Sequence, residues 1–183
     1  MDAKSSLRKK FFLKRKKNYF NINNNFYYPM IKLLKKKVKN KNLIISFYYP
    51  SSYESNILSI LDIEYFKKFN FLLPIIEENN TMNFYRWKKR DVLVLNKYGM
   101  LEPLKSKKNV PNIILVPLLA FDKRKHRLGY GKGFYDKFLS KYLKNHKKIL
   151  TIGIAFSFQK HHNLPIKSKD IKLDYILTEK GFI

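Results

Sequence analysis

The chain has 183 residues, a length that suits one domain spanning residues 1–183, and 45% of them are hydrophobic, which is enough for a sizeable core. The absence of cysteine excludes disulfides, thiolate nucleophiles and cysteine-ligated metals, and no apolar run approaches the roughly 18 residues of a membrane-spanning helix. The N-terminus lacks the continuous apolar segment of a signal peptide, so we expect a cytoplasmic protein without a membrane partner.

The chain is strongly basic, with 39 Lys and Arg against 13 Asp and Glu and a formal net charge of +26. Such a surface attracts polyanions, whether nucleic acid, a nucleotide or a polyglutamylated small molecule. The heavy use of Lys, Asn, Ile, Phe and Tyr is equally typical of proteins from AT-rich genomes. Both explanations stay open, and charge alone identifies no partner.

In chain order, the hydrophobic spacing predicts helices over residues 4–17, 27–39 and 51–69, strands over 43–49, 71–76 and 81–87, and a turn at 98–103. Further strands are predicted over residues 113–116, 149–155 and 175–178, with a helix after the first of them. Strands that alternate with helices indicate an α/β fold with a mainly parallel sheet covered on both faces. In such a fold a ligand lies beyond the carboxyl ends of the strands.

The most informative stretch covers residues 116–139, VPLLAFDKRKHRLGYGKGFYDKFL, where a strand leads through a polar loop and three glycines into a helix. Gly129, Gly131 and Gly133 can adopt backbone angles closed to other residues, and the helix start adds unpaired N–H groups. A polyphosphate is therefore the expected ligand. Lys132 is followed by glycine and not by Ser or Thr, which excludes a P-loop, and the G-x-G-x-G spacing excludes a Rossmann fingerprint.

A carboxylate would have to hold a metal on such a phosphate, because the motif carries no hydroxyl for it. Asp136, three residues after the last glycine, is the candidate, since Mg²⁺ is usually bound by one or two carboxylates with phosphate oxygens and water. Asp170 could approach the same cation, although nothing in its local sequence requires this. The alternative is that Asp136 only complements the helix dipole and the glycines only turn the chain.

Two further features have a functional and a structural interpretation. Lys4 and Arg8 lie four residues apart on one face of the first predicted helix, where they could bind a phosphate or simply be solvated. Glu54 follows Ser51 by three residues, the spacing of a capping box. On local sequence alone the structural interpretation is favoured for both.

Motifs spread over almost the whole chain occur in a fixed order: Lys4-x-x-x-Arg8, Glu54 after a strand, Leu73-Pro74, NFYRW at 83–87, G-x-x-EP at 99–103, VP-x-x-AFD at 116–122, RLGYGKGFYD at 127–136, Gln159 and Asp170. This combination resembles the 5-formyltetrahydrofolate cyclo-ligases, also called 5,10-methenyltetrahydrofolate synthetases. The resemblance implies a Rossmann-like three-layer α/β sandwich. It also implies ATP- and Mg²⁺-dependent conversion of 5-formyltetrahydrofolate to 5,10-methenyltetrahydrofolate, with release of ADP and phosphate.

The resemblance also implies roles for individual residues. Those expected to bind ATP are Lys4, Ser5, Ser6, Leu7, Arg8, Arg127, Leu128, Gly129, Tyr130, Gly131, Lys132, Gly133, Phe134 and Tyr135. Those expected to contact the folate are Glu54, Asn56, Tyr130, Gly131, Lys132, Gly133 and Phe134. Asp136 and Asp170 are the expected Mg²⁺ ligands, and Arg127, Lys132 and Tyr130 are the expected catalytic residues.

Four positions depart from the usual pattern of that family, and one of them, Phe134, keeps the ring of the family's second tyrosine but loses its hydroxyl. Leu118 and Lys125 stand where the family has glycine, and Asn56 replaces a carboxylate near Glu54. We expect these changes to affect the loop at 122–126 and the recognition of the pterin.

Two alternatives to a working cyclo-ligase remain. One is a non-catalytic basic RNA-binding protein, and the other is a degraded cyclo-ligase that folds without turnover. The lysines are scattered through every segment and do not form one stripe. We therefore expect ATP and a reduced folate as partners, no nucleic acid, and a monomer.

Overall fold

The computed structural model of the chain describes residues 3–37, 43–145 and 149–183. Its α-helices are α1 (Ala3–Lys17), α2 (Tyr28–Lys37) and α3 (Phe134–Asn145). Its strands are β1 (Ile44–Ser46), β2 (Asn70–Ile76), β3 (Met82–Arg86), β4 (Leu93–Leu95), β5 (Leu101–Pro103), β6 (Lys108–Asn109), β7 (Ile113–Pro117), β8 (Ala120–Phe121), β9 (Arg127–Leu128), β10 (Leu150–Ile154), β11 (Tyr175–Thr178) and β12 (Gly181–Phe182). Short 3₁₀ helices cover Asn24–Tyr27, Leu58–Asp62, Glu64–Phe66 and Ser157–Gln159.

Eight of these strands form one sheet in the order β12-β11-β10-β7-β1-β2-β3-β6. The five strands from β11 to β2 are parallel, and Ile45 of β1 lies between Phe71 of β2 and Ile113 of β7. The outer strands β3, β6 and β12 pair antiparallel. Strands β4 and β5 form one separate antiparallel pair, and β8 and β9 form another. The predicted α/β fold with a mainly parallel sheet is confirmed.

Both faces of the sheet are buried, which explains why its strands are continuously apolar. Successive side chains of a strand point to opposite faces. On one face Leu115 of β7 packs in a cluster with Leu34 of α2. On the other face Ile114 and Val116 pack in a cluster with Phe138 of α3. The two helices therefore cover opposite sides of the sheet. Within the described residues no helix is long and apolar enough to cross a membrane.

The predicted third helix, residues 51–69, is wrong. Ser52 and Tyr53 adopt left-handed angles, with φ of 49° and 64°, which an α-helix cannot include. The apolar residues beyond them lie on the 3₁₀ helices Leu58–Asp62 and Glu64–Phe66. Apolar residues at helical spacing are thus buried here by two short 3₁₀ helices and not by one α-helix. Glu54 lies before them, in the loop after β1.

Other boundaries differ for local reasons. The helix predicted over residues 27–39 is α2, which begins at Tyr28 and is described as far as Lys37. The last two predicted positions, 38 and 39, lie outside the described residues. The predicted turn at 98–103 belongs to the hairpin of β4 and β5, with Gly99 at a φ of 71° in its turn. Pro74 does not interrupt β2, because β1 pairs with β2 only as far as Leu72.

Gly153 in β10 leaves room for the side chain of Leu118, which occupies a position where the family pattern has glycine. A Cβ on Gly153 would lie 2.8 Å from Leu118 Cδ2, 2.6 Å from Ile176 Cδ1 and 2.9 Å from Leu173 Cδ1. Leu118 itself is buried and does not have a positive φ. Leucine at position 118 therefore fills space in the core and does not strain the backbone.

We predict that Gly153→Ala lowers the free energy of unfolding by about 1–3 kcal/mol, because the added methyl group overpacks this point of the core. The same substitution made in a Leu118→Ala background should cost less, because one of the three clashing side chains is gone. Urea denaturation of the four proteins measures both values. An equal cost in the two backgrounds would contradict the packing described here.

Candidate functional site

One face of α1 lies against the loop of residues 129–133, called the glycine loop below. Lys4, Arg8, Phe11 and Arg15 are spaced so that they follow this face. Lys4 forms an ion pair with Asp170, and Arg8 Nε donates a hydrogen bond of 3.0 Å to the Gly129 carbonyl. Phe11 is buried and anchors the helix.

Four other residues predicted at this end of the site are structural or exposed. Leu7 is half-buried against the cluster that holds Phe11, and Leu128 is buried within it. Ser5 and Ser6 are exposed on α1. Leu7 and Leu128 thus dock α1 beside the glycine loop.

The glycine loop leads directly into α3, as the sequence predicts. Gly131 and Gly133 have φ values of 101° and 69°, which are open to glycine, whereas Gly129 does not need a positive φ. A Cβ on Gly131 would lie 3.3 Å from Arg8 Cζ, so glycine also permits the close approach of that guanidinium. The Gly133 carbonyl accepts a hydrogen bond of 2.9 Å from Lys137 N in the first turn of α3.

The two predicted metal ligands come into the same part of the site. Asp136 lies in the first turn of α3, and its Oδ1 accepts hydrogen bonds from Arg127 Nη2 at 2.7 Å and from Ile171 N at 3.0 Å. The second terminal nitrogen of Arg127 donates to the Ile171 carbonyl at 2.7 Å. Asp170, the residue before Ile171, accepts from Lys4 and from Lys167 N. Arg127, which is buried, therefore fixes Asp136 beside the segment that carries Asp170.

Asp170 is held in its ionised form. Partial burial disfavours its charge, but the hydrogen bonds from Lys4 and Lys167 N outweigh that cost and lower its pKa. In the part of the chain described, no group of three or more His, Asp or Glu side chains is arranged to hold a metal ion. A cation at this point would therefore need oxygen ligands from a bound molecule or from water.

Glu54 and Tyr130 meet across 76 positions of the sequence. The Tyr130 hydroxyl donates to Glu54 Oε1, and Ser51 donates to Oε2 through its N–H at 3.0 Å and its hydroxyl at 3.4 Å. The carboxylate half of the capping-box pairing is thus present without an α-helix, while the Glu54 N–H donates to the Ser51 carbonyl, and the same carboxylate faces the glycine loop. Glu54 is only 7% exposed, whereas Tyr130 is 43% exposed, so its ring reaches solvent while its hydroxyl turns inward.

Burial controls the protonation of this pair. It raises the pKa of Glu54, although hydrogen bonds from Tyr130 and Ser51 and the charge of Arg15 oppose the rise. Burial of the hydroxyl and the charge of Glu54 raise the pKa of Tyr130 well above its ordinary value. Tyr130 is therefore a hydrogen-bond donor throughout the physiological range.

Two more tyrosines surround Glu54. The Tyr48 hydroxyl donates to the Ser55 carbonyl at 3.0 Å. The Tyr135 hydroxyl is buried and has no hydrogen-bond partner among the described residues. Burial and the charge of Glu54 raise the pKa of Tyr135, so it too stays protonated. A buried hydroxyl without a partner marks a point where a ligand or an ordered water is needed.

The remaining predicted residues are not brought to Glu54. Asn56 is exposed, and its side chain accepts a hydrogen bond of 3.2 Å from Leu58 N at the start of a 3₁₀ helix. Lys132 is exposed, with Nζ 5.6 Å from the centre of the Tyr98 ring. Phe134 packs against the same ring at 5.8 Å between ring centres. Lys132 and Phe134 thus face the hairpin of β4 and β5.

Two buried polar residues escaped the sequence-based assignment of roles. Arg15 is 1% exposed and donates to the carbonyls of Ser52 at 2.7 Å and Leu118 at 3.3 Å. Its signal in the sequence was its spacing, seven residues after Arg8 and four after Phe11 on the inward face of α1. Gln159 donates to the carbonyls of Leu118 and Leu119, both at 2.9 Å, and so fixes the loop after β7.

Lys125 adopts the conformation that the family's glycine would favour. Its φ is 66°, in the left-handed region, and its Nζ donates to the Asp174 carbonyl at 2.8 Å. The loop at 122–126 is closed by Asp122, whose Oδ1 accepts from Arg124 N at 2.9 Å and His126 N at 3.0 Å. The loop therefore keeps a left-handed turn with lysine at this position.

Comparison with known proteins finds a matching family model and a relative that share one description. The sequence model of the 5-formyltetrahydrofolate cyclo-ligase family matches residues 1–179. The 5-formyltetrahydrofolate cyclo-ligase of Mycoplasma genitalium is 30% identical over 165 residues, which cover 87% of this chain and 88% of the relative.

Solved structures agree with this result. The 5,10-methenyltetrahydrofolate synthetase of Aquifex aeolicus matches with a TM-score of 0.70 and 32% identity, covering 98% of this chain and 91% of that one. The synthetase of Mycoplasma pneumoniae matches with a TM-score of 0.70 at 24% identity, covering 97% and 98%, and supports the fold alone. The chain belongs to the 5-formyltetrahydrofolate cyclo-ligase family.

Proposed function

We propose that this protein is an ATP- and Mg²⁺-dependent enzyme that converts 5-formyltetrahydrofolate to 5,10-methenyltetrahydrofolate and releases ADP and phosphate. Family membership supports the reaction class. The observation that carries the proposal is the contact between Tyr130 and Glu54. It joins the loop expected to bind phosphate to the carboxylate expected to bind the pterin, so the two substrates would meet there.

The ATP half of the proposed site consists of the glycine loop and the cations around it. Lys4, Arg8 and Arg127 all lie at this loop or at the carboxylates beside it. The N-terminus of α3 adds unpaired N–H groups and the positive end of the helix dipole. These groups suit a triphosphate. Ser5, Ser6 and Lys132, which are exposed, would contact ATP from the solvent side.

The folate half is built around Glu54. An ionised carboxylate accepts two hydrogen bonds, which matches the two-donor amino edge of a pterin. The exposed ring of Tyr130 offers a wall for the reacting end of the folate. Surface lysines would attract the glutamate tail without defined contacts.

The chemistry requires alignment more than covalent participation by the protein. The formyl oxygen attacks the γ-phosphorus of ATP and ADP leaves, which turns a poor leaving group into a good one. The N10 lone pair then attacks the formyl carbon, the C–O bond breaks, and phosphate leaves. Loss of the N10 proton gives the cyclic amidinium. Arg127 and Lys132 would neutralise charge on the transferred phosphoryl group, and Tyr130 would orient the formyl group by its exposed ring.

Magnesium fits the residues present. Mg²⁺ commonly takes one or two carboxylates and fills its other positions with phosphate oxygens and water, so it does not need a cage of protein ligands. Asp136 accepts both of its hydrogen bonds on Oδ1, which leaves Oδ2 without a donor among the described residues. Asp136 and Asp170 would hold the ion, and its charge would neutralise the phosphates.

The proposal extends to the setting in which the enzyme works. We propose a single domain over residues 1–183, acting as a monomer in the cytoplasm. Its partners would be a reduced folate and ATP, with no nucleic acid and no membrane.

Absorbance at the methenyl chromophore tests the proposed reaction directly. Purified protein mixed with 5-formyltetrahydrofolate, Mg²⁺ and ATP should give a rise that is missing when ATP is omitted. Folded protein that binds ATP and gives no rise would overturn the proposed activity.

We predict that Asp136→Ala lowers kcat on the order of 10²-fold or more, because the phosphates lose a group that organises charge around them. The loss should be greatest when Mg²⁺ is limiting. Asp62→Ala, which removes an exposed carboxylate paired with Lys89, is the matched control. A folded Asp136→Ala variant with control-level turnover at limiting Mg²⁺ would refute the metal assignment.

We predict that Arg127→Ala weakens ATP binding more than folate binding, since the guanidinium lies on the phosphate side of the site. Separate titrations with ATP and with 5-formyltetrahydrofolate measure the two dissociation constants. Arg86→Ala removes an exposed arginine that bonds to Asn70 and serves as the control. An unchanged ATP affinity in folded Arg127→Ala protein would count against a phosphate role.

A further inference from the structure

We propose that Arg15 is a positioning residue for this reaction, and that its guanidinium holds the loop carrying Glu54 and the glycine loop in one fixed arrangement. This inference rests on the proposed function and deepens it. Arg15 contributes no atom to the reacting groups. It acts through Glu54 and Tyr130.

Three separate segments meet at this side chain. Arg15 Nη2 donates to the Ser52 carbonyl at 2.7 Å, in the loop after β1, and Nη1 donates to the Leu118 carbonyl at 3.3 Å, after β7. The Arg15 Cζ atom lies 5.5 Å from the centre of the Tyr130 ring in the glycine loop. All three segments follow strand ends or lead into α3. Movement of any one of them would disturb the other two through the guanidinium.

The burial of Arg15 is costly and incompletely compensated. A buried ion loses several kcal/mol of solvation unless partners replace the water. Among the described residues no carboxylate forms an ion pair with Arg15, and its Nε has no hydrogen-bond acceptor. An apolar side chain of similar length would pack here at lower cost. A charged residue at such a point is better explained by the site than by the stability of the core.

The loop after β1, to which Arg15 donates a hydrogen bond at Ser52, has a strained backbone. Ser52 and Tyr53 are consecutive non-glycine residues in the left-handed region, with φ of 49° and 64°. Such residues are uncommon and persist only where the surroundings fix them. The hydrogen bond from Arg15 to the Ser52 carbonyl fixes the start of this turn, and the bonds from Ser51 to Glu54 fix its end. The position of Glu54 thus depends on Arg15.

The charge of Arg15 has a second effect on Glu54. Burial and the neighbouring hydroxyls of Tyr48, Tyr130 and Tyr135 enclose the carboxylate, and the cation of Arg15 favours its ionised form. The proposed pterin contact needs that form, because a protonated carboxyl cannot accept two hydrogen bonds from the amino edge. Removal of the cation should raise the pKa of Glu54 and move the acidic limit of folate use to higher pH.

The test compares three variants with the wild type. Arg15→Met removes charge and hydrogen bonds, Arg15→Lys keeps the charge, and Lys10→Met removes an exposed lysine of the same helix as a control. We expect Arg15→Met to lose on the order of 10²-fold in kcat/KM for the folate, a size typical of small displacements of reacting groups. Its dissociation constant for ATP should rise by a smaller factor than kcat/KM falls, because Arg15 contacts the glycine loop only at the Tyr130 ring.

The pH profile separates positioning from a merely structural role. In Arg15→Met the acidic limb of kcat/KM for the folate should move to higher pH. In Arg15→Lys the limb should stay in place while kcat/KM remains reduced, because one ammonium cannot bridge both carbonyls. Circular dichroism and thermal melting report the folded fraction of each variant.

Several outcomes would overturn the inference. Arg15→Met with the kcat/KM and pH profile of Lys10→Met would do so, and so would a loss that only follows the folded fraction at every pH. If Arg15→Met does not fold, wild-type kinetics in Arg15→Lys would have the same force. A wild type without ATP-dependent product overturns the proposed function and the role of Arg15 with it, whereas an active wild type confines any failure to Arg15.

Discussion

The packing of α1 across the glycine loop is the interaction on which the rest of the site depends. Phe11 anchors the helix in a small apolar cluster, and Arg8 closes over Gly131. A Cβ at position 131 would lie 3.3 Å from Arg8 Cζ, so a side chain there would push the guanidinium back by a few tenths of an ångström. The same helix face sends Lys4 to Asp170 and Arg15 to the loop before Glu54. One amphipathic helix thus connects segments that are more than a hundred positions apart.

The fold class was predictable because it depends on the alternation of strands and helices along the chain, and the hydrophobic pattern of the sequence shows that alternation. The runs at 113–116 and 175–178 are apolar enough to be recognised as strands buried on both faces, and both are confirmed as β7 and β11. The segment at 51–69 was predicted wrongly for a physical reason. Apolar residues three and four apart suit an α-helix and a pair of 3₁₀ turns equally, and left-handed angles at serine and tyrosine leave no mark in the sequence.

The site was predictable where a motif is contiguous and less so where it is assembled from distant pieces. The glycine loop and the place of Asp136 in the first turn of α3 follow from one stretch of sequence. Local spacing predicted that Glu54 bonds to Ser51, and the bond from Ser51 N to the carboxylate is present. The same carboxylate also accepts a hydrogen bond from the Tyr130 hydroxyl. When a residue has both a local and a long-range contact, its neighbours in the sequence predict only the local one. Arg15 was missed for a related reason, since its spacing places it on the inward face of α1 but nothing in the helix sequence shows which distant carbonyls it binds.

The arrangement around Glu54 is unfavourable for stability in several independent ways. A carboxylate is buried, a guanidinium nitrogen and the Tyr135 hydroxyl lack partners among the described residues, and two consecutive residues are left-handed. The sheet beside them is densely apolar and contains no comparable cluster within the described residues. A fold that could bury leucine here at lower cost keeps charge and strain instead. That cost is understandable if a ligand supplies the missing hydrogen bonds at the proposed site.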